Sequence, residues 1–525
     1  MKSRKFSGAQ FLRSVMVVAL SLTPLALDAQ QAPPSMKVVS RLVVLDVVVT
    51  DKKGQPVTDL TQNDFEIFED NQPQTIRSFE PPSAHELPSD TTSNPKDEVF
   101  DPAKPANFGQ SPVTILVLDQ LNTHFTDSSF ARQQMAEYLK AQPELLSVPT
   151  TLLVVYQDHF KLLQEFTRDR SKLQDALSKA PVKYSWDLET KGKADNGPIQ
   201  RLDMSLRALE EMSQSYSSIA GRKNLIWVGG GFPSIDPESL AGNDFREVQD
   251  TIKYVSNMLL DTRMTLYAVD PTSSAAGMTE ITDFQQMAFA QLSGELSSAP
   301  IDTIDGGSDF DSLGKMTGGR VIRSMNNVAT QIQISVNYGA QFYTLSYSPT
   351  NKSDDSLKFR KIRVVCKRPD LVVTTRTGYY GGNMPKESAT QTLAYDLSTA
   401  AESSVPLNGL HISVDENRSV AATDEDAWVI RVQAPELTWA PQSDGSSRAD
   451  VTVMAVSLDK KGKLLSHTIH AGSAVARAGV NLRDASKMAD FDFTAKPAPH
   501  AVMLRFVVRD SGSGRMGSFD VPLAK

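Results

Sequence analysis

The stretch Val113–Asp119 reads VTILVLD, and three later stretches share its grammar: TLLVVY at Thr151–Tyr156, LIWV at Leu225–Val228 and MTLYAV at Met264–Val269. Each is a short, continuously apolar run, too short for a helix that must bury one stripe and expose another. Amphipathic segments separate the runs. Asp127-Ser128-Ser129 opens one that continues to Lys140, Leu202, Leu206, Leu209 and Met212 recur at helical spacing in a second, and Tyr254 to Leu260 forms a third. Strands apolar on both faces, interleaved with helices, predict a doubly wound, mostly parallel α/β sheet covered on both sides. The rhythm breaks at 271–308, rich in Ser, Ala, Gly and Asp, which is expected to be a loop insertion. It resumes with a helix at Ser312 to Met316, a stop at Thr317-Gly318-Gly319, a strand near Val321 and a helix from Asn326. Strands at Phe342 to Tyr347 and Phe359 to Val365 follow, so the α/β domain is expected over 113–382.

Upstream, Lys37 to Thr50 is rich in β-branched residues and runs into the turn Asp51-Lys52-Lys53-Gly54 before Val57, which predicts a hairpin. Short strands around Phe65 to Phe68 and Thr75 to Phe79 complete a small β-unit, 37–80, too thin to stand alone. Prolines at 81, 82, 88, 95, 102, 105 and 112 then mark 81–112 as a Pro-rich linker or strap. Downstream of about 395 the pattern becomes alternating, with strand-like runs at Ala427 to Val432, Asp450 to Ser457, Met488 to Phe493 and Met503 to Arg509. Residues 395–525 are therefore expected to form a β-sandwich.

The N-terminus carries Lys2, Arg4, Lys5 and Arg13, then the apolar segment Val15 to Leu27, then Asp28-Ala29-Gln30. A basic start, an apolar run of roughly a dozen residues and a small residue before a polar flank predict a secretory signal peptide over 1–29. The expected location is the periplasm or the outside of the cell, with no transmembrane anchor once the signal is removed. The chain's net charge is −8, and losing the +3 of its first 29 residues would leave about −11. So acidic a chain is ill suited to the phosphate backbone of nucleic acid. Its one cysteine, Cys366, excludes a disulfide framework and a Cys-based zinc site.

Several local sequences carry a further likeness: VVVTDKKGQPVTDLTQNDFEIFEDNQPQTIRSFE (Val47 to Glu80), ILVLDQLNT (Ile115 to Thr123), GRKNLIWVGGGFP (Gly221 to Pro233), LYAVDP (Leu266 to Pro271), TGGRVI (Thr317 to Ile322) and FYTLSYSPTN (Phe342 to Asn351). In these the chain resembles the von Willebrand factor A-type domain, and more narrowly the VWFA-related exported bacterial proteins of acidobacterial type. The resemblance reaches to about Tyr380. It implies a doubly wound domain that binds proteins and has no established catalysis. It also implies a metal-ion-dependent adhesion site at the carboxyl edge of the sheet, built from an Asp-x-Ser-x-Ser loop, a distant Thr and a later Asp. Such a site holds Mg or Ca among oxygens and leaves one position for a partner's carboxylate. Here the loop is Asp119-Gln120-Leu121-Asn122-Thr123, so Asp119, Asn122 and Thr123 are the candidate metal ligands of a degenerate site. Leu121 replaces the first Ser and offers no oxygen. The later Asp is replaced by Gly229-Gly230-Gly231, leaving Asp236 further along, and Thr190 is the nearest stand-in for the distant Thr.

Other motifs point elsewhere. Gly512-Ser513-Gly514-Arg515-Met516-Gly517 fits G-x-G-x-x-G, but too little chain follows for the helix that a dinucleotide needs, so a β-turn is expected. Asp302, Asp305, Asp309 and Asp311 lack the order of a calcium loop, and His467 and His470, three apart on a strand, face opposite ways. Trp186, Trp428 and Trp439 are expected in packing. The expected function is non-enzymatic protein binding, as an adhesion or scaffold-like protein without a required cofactor. One alternative is metal-dependent adhesion through Mg or Ca. The other is a hydrolase using Asp119, His124 and His159, which lacks a nucleophile with a positioned base.

Overall fold

The computed structural model describes residues 42–87, 108–156, 160–181, 197–233, 242–271, 310–323, 327–350, 358–381, 386–403, 405–416, 426–484 and 486–523. The expected signal peptide, linker residues 88–107, insertion residues 272–308, and His159, Trp186, Thr190, Asp236, Asp302, Asp305 and Asp309 lie outside them. Among the described residues no helix is long and apolar enough to cross a membrane.

The chain enters through β1 (Val43–Thr50), β2 (Phe65–Glu69), β3 (Gln72–Gln74) and β4 (Ile76–Glu80). The turn after β1 forms as expected: Asp51 Oδ1 accepts from the Lys53 and Gln55 amides at 2.8 Å each, and Gly54 has φ +78°. The hairpin, however, stops at a single bridge, Thr50 to Pro56. Strands β2 and β3 do form one, closed by Asp70 and Asn71 at φ 49° and 64°, the left-handed pair that such two-residue turns require.

The α/β part follows as β5 (Val113–Asp119), α1 (Phe125–Ala141), β6 (Leu145–Val155), β7 (Phe160–Asp169), α2 (Arg170–Lys179), α3 (Pro198–Ser215), β8 (Lys223–Val228), α4 (Gly242–Asp261), β9 (Met264–Asp270), α5 (Phe310–Met316), β10 (Arg320–Arg323) and α6 (Val328–Ala340). Its sheet has the order β10-β9-β8-β5-β6-β7, parallel throughout except for the edge strand β7. The apolar runs explain the two-sided burial. Ile115, Val117, Leu225, Trp227 and Leu266 share a core with Leu202 and Leu209 of α3 and Val255 of α4. Their neighbours Leu116, Leu118, Ile226, Val228 and Tyr267 share another with Met135 of α1, Leu173 of α2 and Ile332 of α6. Successive residues of one strand thus serve opposite layers, and burying each such side chain stabilises the domain by about 1.5–3 kcal/mol.

The chain then makes β11 (Tyr343–Tyr347), β12 (Lys358–Cys366), β13 (Val372–Thr374) and β14 (Gly378–Gly381). These strands do not extend the parallel sheet. They return to the N-terminal strands and form two four-stranded sheets, β13-β1-β11-β4 and β14-β12-β2-β3. Residues 43–80 and 343–381 thus share sheets, whereas the sequence suggests a separate unit at 37–80 and an α/β domain running to 382. Val43, Leu45, Val47 and Phe65 meet Tyr343, Leu345, Tyr347, Ile362 and Val364 in one core. Each segment alone leaves an apolar face uncovered, which is the reason for their union.

Helix α7 (Lys386–Glu402) follows, then β15 (Ile412–Glu416), β16 (Asp426–Gln433), β17 (Ala440–Pro441), β18 (Ser447–Leu458), β19 (Leu464–Ala476), β20 (Met488–Ala495), β21 (Met503–Asp510) and β22 (Met516–Pro522). The segment 395–402, expected as the start of a β-domain, is helical. The strands make two antiparallel sheets, β15-β16-β20 and β17-β18-β21-β22 with β19 on the far side of β18. Trp428, Ile430 and Phe491 of the first share a core with Val451, Val453 and Phe506 of the second. On the other face of the second sheet, Met454, Val456 and Val507 pack with Leu397, Ala400 and Ala401 of α7. The glycine motif at 512–517 is the β21–β22 turn, with Gly514 at φ +74° and Gly517 already paired to Val508.

Candidate functional site

In a doubly wound sheet, loops converge at the carboxyl ends of the strands where the winding reverses. Here that point lies between β5 and β8, because the chain winds from β5 to β6 on one side and returns to β8 on the other. The loop Asp119–Thr123 leaves β5 there and Gly229–Gly231 leaves β8. The opposite edge is covered: Arg263, just before β9, reaches Asp46 of β1 at 2.5 Å, and Arg222, just before β8, stacks over Phe342 at 5.3 Å. The pairing of 43–80 with 343–381 therefore closes the amino edge of the sheet.

Asp119 is fully buried, and both its carboxylate oxygens are engaged. Oδ1 accepts from the backbone amides of Leu121 at 2.8 Å and Asn122 at 2.9 Å. Oδ2 accepts from the Trp227 indole at 3.0 Å and the Gly231 amide at 3.2 Å. The neighbouring Thr123 hydroxyl accepts from the Gly230 amide at 2.9 Å. Burial pushes the Asp119 carboxyl up to about 6, while the donors from Asn122, Trp227, Leu121 and Gly231 pull the other way. At neutral pH it is mostly ionised, and four N–H groups stabilise its charge.

Two of the three glycines are explained by this approach. A Cβ on Gly229, at φ +152°, would stand 2.4 Å from Asp119 Cβ and 2.5 Å from Thr123 Oγ1. One on Gly230 would stand 2.7 Å from the Asn122 carbonyl oxygen. Only residues without side chains let the two loops close to hydrogen-bonding distance. Leu121 is fully buried and belongs to the core under α3 and α4, so the position expected to carry a ligating hydroxyl anchors the loop from below. Asn122 points its Nδ2 at Ser205 Oγ of α3, 2.8 Å away, and Ser205 donates on to the Arg201 carbonyl at 2.9 Å.

The candidate ligands are thus adjacent, but their arrangement does not fit a divalent cation. Mg or Ca needs about six or more oxygens with lone pairs turned inward. Asp119 turns both of its oxygens toward N–H donors, whose positive ends would face a cation. Asn122 Oδ1 is buried without a hydrogen-bond partner and the Thr123 hydroxyl already accepts from the Gly230 amide, so the neutral oxygens do not make up a coordination shell. Among the described residues no group of three or more His, Cys, Asp or Glu side chains is placed to hold a metal. Of the hydrolase candidates, His124 is not among the four donors to Asp119, and His159 lies outside the described residues.

A second polar cluster, unmarked by any motif, joins α3 to the C-terminal strands. Glu210 and Glu211 of α3 and Asp396 of α7 are buried there. Asp396 accepts from Arg509 Nε at 2.6 Å and the Tyr254 hydroxyl at 2.8 Å. The Thr399 hydroxyl reaches Glu210 at 3.3 Å, and the Ser403 hydroxyl reaches Glu211 at 3.2 Å. Burial pushes Glu211 up to about 8; Ser403 and the charge of Arg505 offset part of that rise. Glu210 is raised well above the usual carboxylate range by burial and by neighbouring Asp396. The helical spacing of Leu202 to Met212 reveals only the face of α3 on the parallel sheet. Its opposite face, Glu210, Glu211 and Gln214, is polar yet buried because the C-terminal part packs on it.

No protein-family model matches the chain, and no curated protein matches it. Among solved structures it is similar to one titled "Crystal Structure of the SpRpn10 VWA domain", at 11% identity and a TM-score of 0.18, over 33% of this chain and 80% of that one. So slight a likeness carries no weight. The strand order and the two-sided core define the domain as a doubly wound α/β domain.

Proposed function

We propose that the chain is an exported, non-enzymatic binding protein that presents the carboxyl loop edge of its α/β domain to another protein, without metal. The observation that carries this is the closure of the crevice between β5 and β8 by hydrogen bonds. Asp119, the residue that would ligate or react, is consumed in holding two loops together, so the edge is a shaped surface rather than a reactive pocket. The amino edge is covered by contacts such as Arg263 to Asp46 and Arg222 to Phe342, so the binding surface is assigned to the carboxyl edge. The von Willebrand A resemblance supports protein binding, and the basic-apolar-polar N-terminus supports export to the periplasm or beyond.

The test is capture of partners from the envelope and culture fluid of the source cell, with the mature chain and with His124→Glu, an exposed change beside the crevice. A partner retained by the wild type in a chelator and lost from the variant is the expected result. Retention only with added Mg or Ca would overturn the metal-free mechanism, and turnover of ester or glycoside substrates would overturn the non-enzymatic one.

A further inference from the structure

The C-terminal sheet ends on one side in β19, thirteen residues long, bonded to β18 from Ser447 opposite Ala476 to Leu458 opposite Leu464. Among the described residues no strand pairs with its other flank. An unpaired flank is a template for another strand, and proteins blunt such edges with shortness, charge or proline. The other outer strands here do so. Strands β3, β10, β13 and β14 have three or four residues; β4 carries Arg77 and Glu80; β7 carries Lys161, Glu165, Arg168 and Asp169. Strand β15 carries Asp415 and Glu416, β20 Asp490 and Asp492, and β22 Asp520 and Pro522. Strand β19, LLSHTIHAGSAVA, has no Lys, Arg, Asp, Glu or Pro.

From Ser466 onward the even-numbered residues of β19 turn toward the core, where His470 rests 4.8 Å from the Phe493 ring and Ala474 packs on the shared cluster, while a bulge at the start of the strand turns Leu464 to the opposite face, against the cluster under α7. The odd-numbered residues form the other face, on which Leu465 is 38% exposed, Ile469 37% and Val475 65%. These are three of the few large apolar side chains that the described residues leave in solvent. Their order is self-complementary. When β19 is laid antiparallel on a copy of itself about a two-fold axis through His470, Leu465 falls opposite Val475, Ile469 opposite Ala471 and His467 opposite Ser473. Each pair occurs twice, and every odd residue meets an odd residue, so both copies keep their core faces on the same side. Thirteen residues paired in this register supply on the order of ten inter-strand hydrogen bonds, the number a standard interface carries.

We propose that β19 pairs with β19 of a second copy of this chain, joining two C-terminal sheets into one continuous sheet across a two-fold homodimer. The strand's own sequence is the complement that fits it, and the lack of charge removes what would otherwise repel an identical strand.

The mature full-length chain, studied by sedimentation across the micromolar range, is expected to be a dimer. Ile469→Lys, which sets an ammonium group against Ala471 of the other copy, is expected to raise the dissociation constant roughly a hundredfold. A register-specific check is the double variant His467→Cys and Ser473→Cys in a Cys366→Ser background. Six residues apart on one strand, the two thiols are roughly 20 Å from each other and cannot join within a chain. Oxidation is therefore expected to give covalent dimers, whereas His467→Cys alone gives none. A monomeric wild type at every concentration would overturn the proposal, and so would a dimer that Ile469→Lys leaves intact.

Discussion

Asp119 and Glu211 are both buried carboxyl groups in the α/β domain, yet burial raises the first only to about 6 and the second to about 8. The difference lies in their partners. Asp119 receives four N–H donors held by loop backbone and an indole; Glu211 receives the Ser403 hydroxyl and the more distant charge of Arg505. A carboxylate surrounded by fixed donors stays ionised at neutral pH and fastens what surrounds it. One with a single hydroxyl keeps its proton and tolerates burial as a neutral acid. The loop edge is thus locked by charge, and the joint between α3 and the C-terminal part by neutral hydrogen bonding around Glu210 and Glu211 beside the Asp396–Arg509 ion pair.

The largest effect expected from this contrast is that of Asp119→Ala. It strands four N–H donors at once and should cost about 4 kcal/mol in denaturant unfolding, unless water enters the space. A loss below about 1 kcal/mol would mean that the donors are satisfied without the carboxylate. Gly229→Ala attacks the same lock from the other loop. At φ +152° and 2.4 Å from Asp119 Cβ, the added methyl should cost about 3 kcal/mol. A stability equal to wild type would show that the loops do not approach so closely.

The contrast also predicts a pH dependence. Glu211 holds its proton more tightly folded than unfolded, so its contribution to stability is fully present below about 4.5 and declines as pH rises toward about 8. Glu211→Gln should remove that decline, leaving the variant about 1–2 kcal/mol more stable than wild type at pH 9 after allowance for relaxation of the site. Parallel stability curves for the two proteins would place the ionisation elsewhere. A smaller effect is expected at Gln214, which donates to the Gly514 carbonyl at 3.4 Å and accepts from the Met516 amide at 3.2 Å. Gln214→Ala should cost about 1 kcal/mol, without changing the loop edge.

The parallel sheet was legible in the sequence because its strands are apolar at every position, a pattern that needs two covering layers and little else. Asp119 at the end of the first such strand was legible for the same reason. Less visible was the union of 43–80 with 343–381, since the two halves of each sheet lie far apart in the chain and each reads as ordinary strands. Helix α7 was missed because KESATQTLAYDLSTAAE offers few large apolar residues; its Ala400 and Ala401 pack closely on the sheet below instead. At the candidate site, Leu121 and the three glycines look in sequence like losses from a metal site. Their roles, a buried anchor and a pair of amide donors, depend on loop approach, which no residue pattern encodes. The buried face of α3 was hidden by its polarity, because Glu210 and Glu211 read as solvent-facing until a second surface covers them.

The central claim, that the loop edge is fastened by N–H donors and needs no metal, is tested most directly by calorimetric titration of the protein with Mg, Mn and Ca beside Asp119→Asn. The predicted result is no saturable heat for any of the three ions with either protein. Saturable binding by the wild type that disappears in Asp119→Asn would contradict it, because the carboxylate would then have exchanged its four donors for a cation.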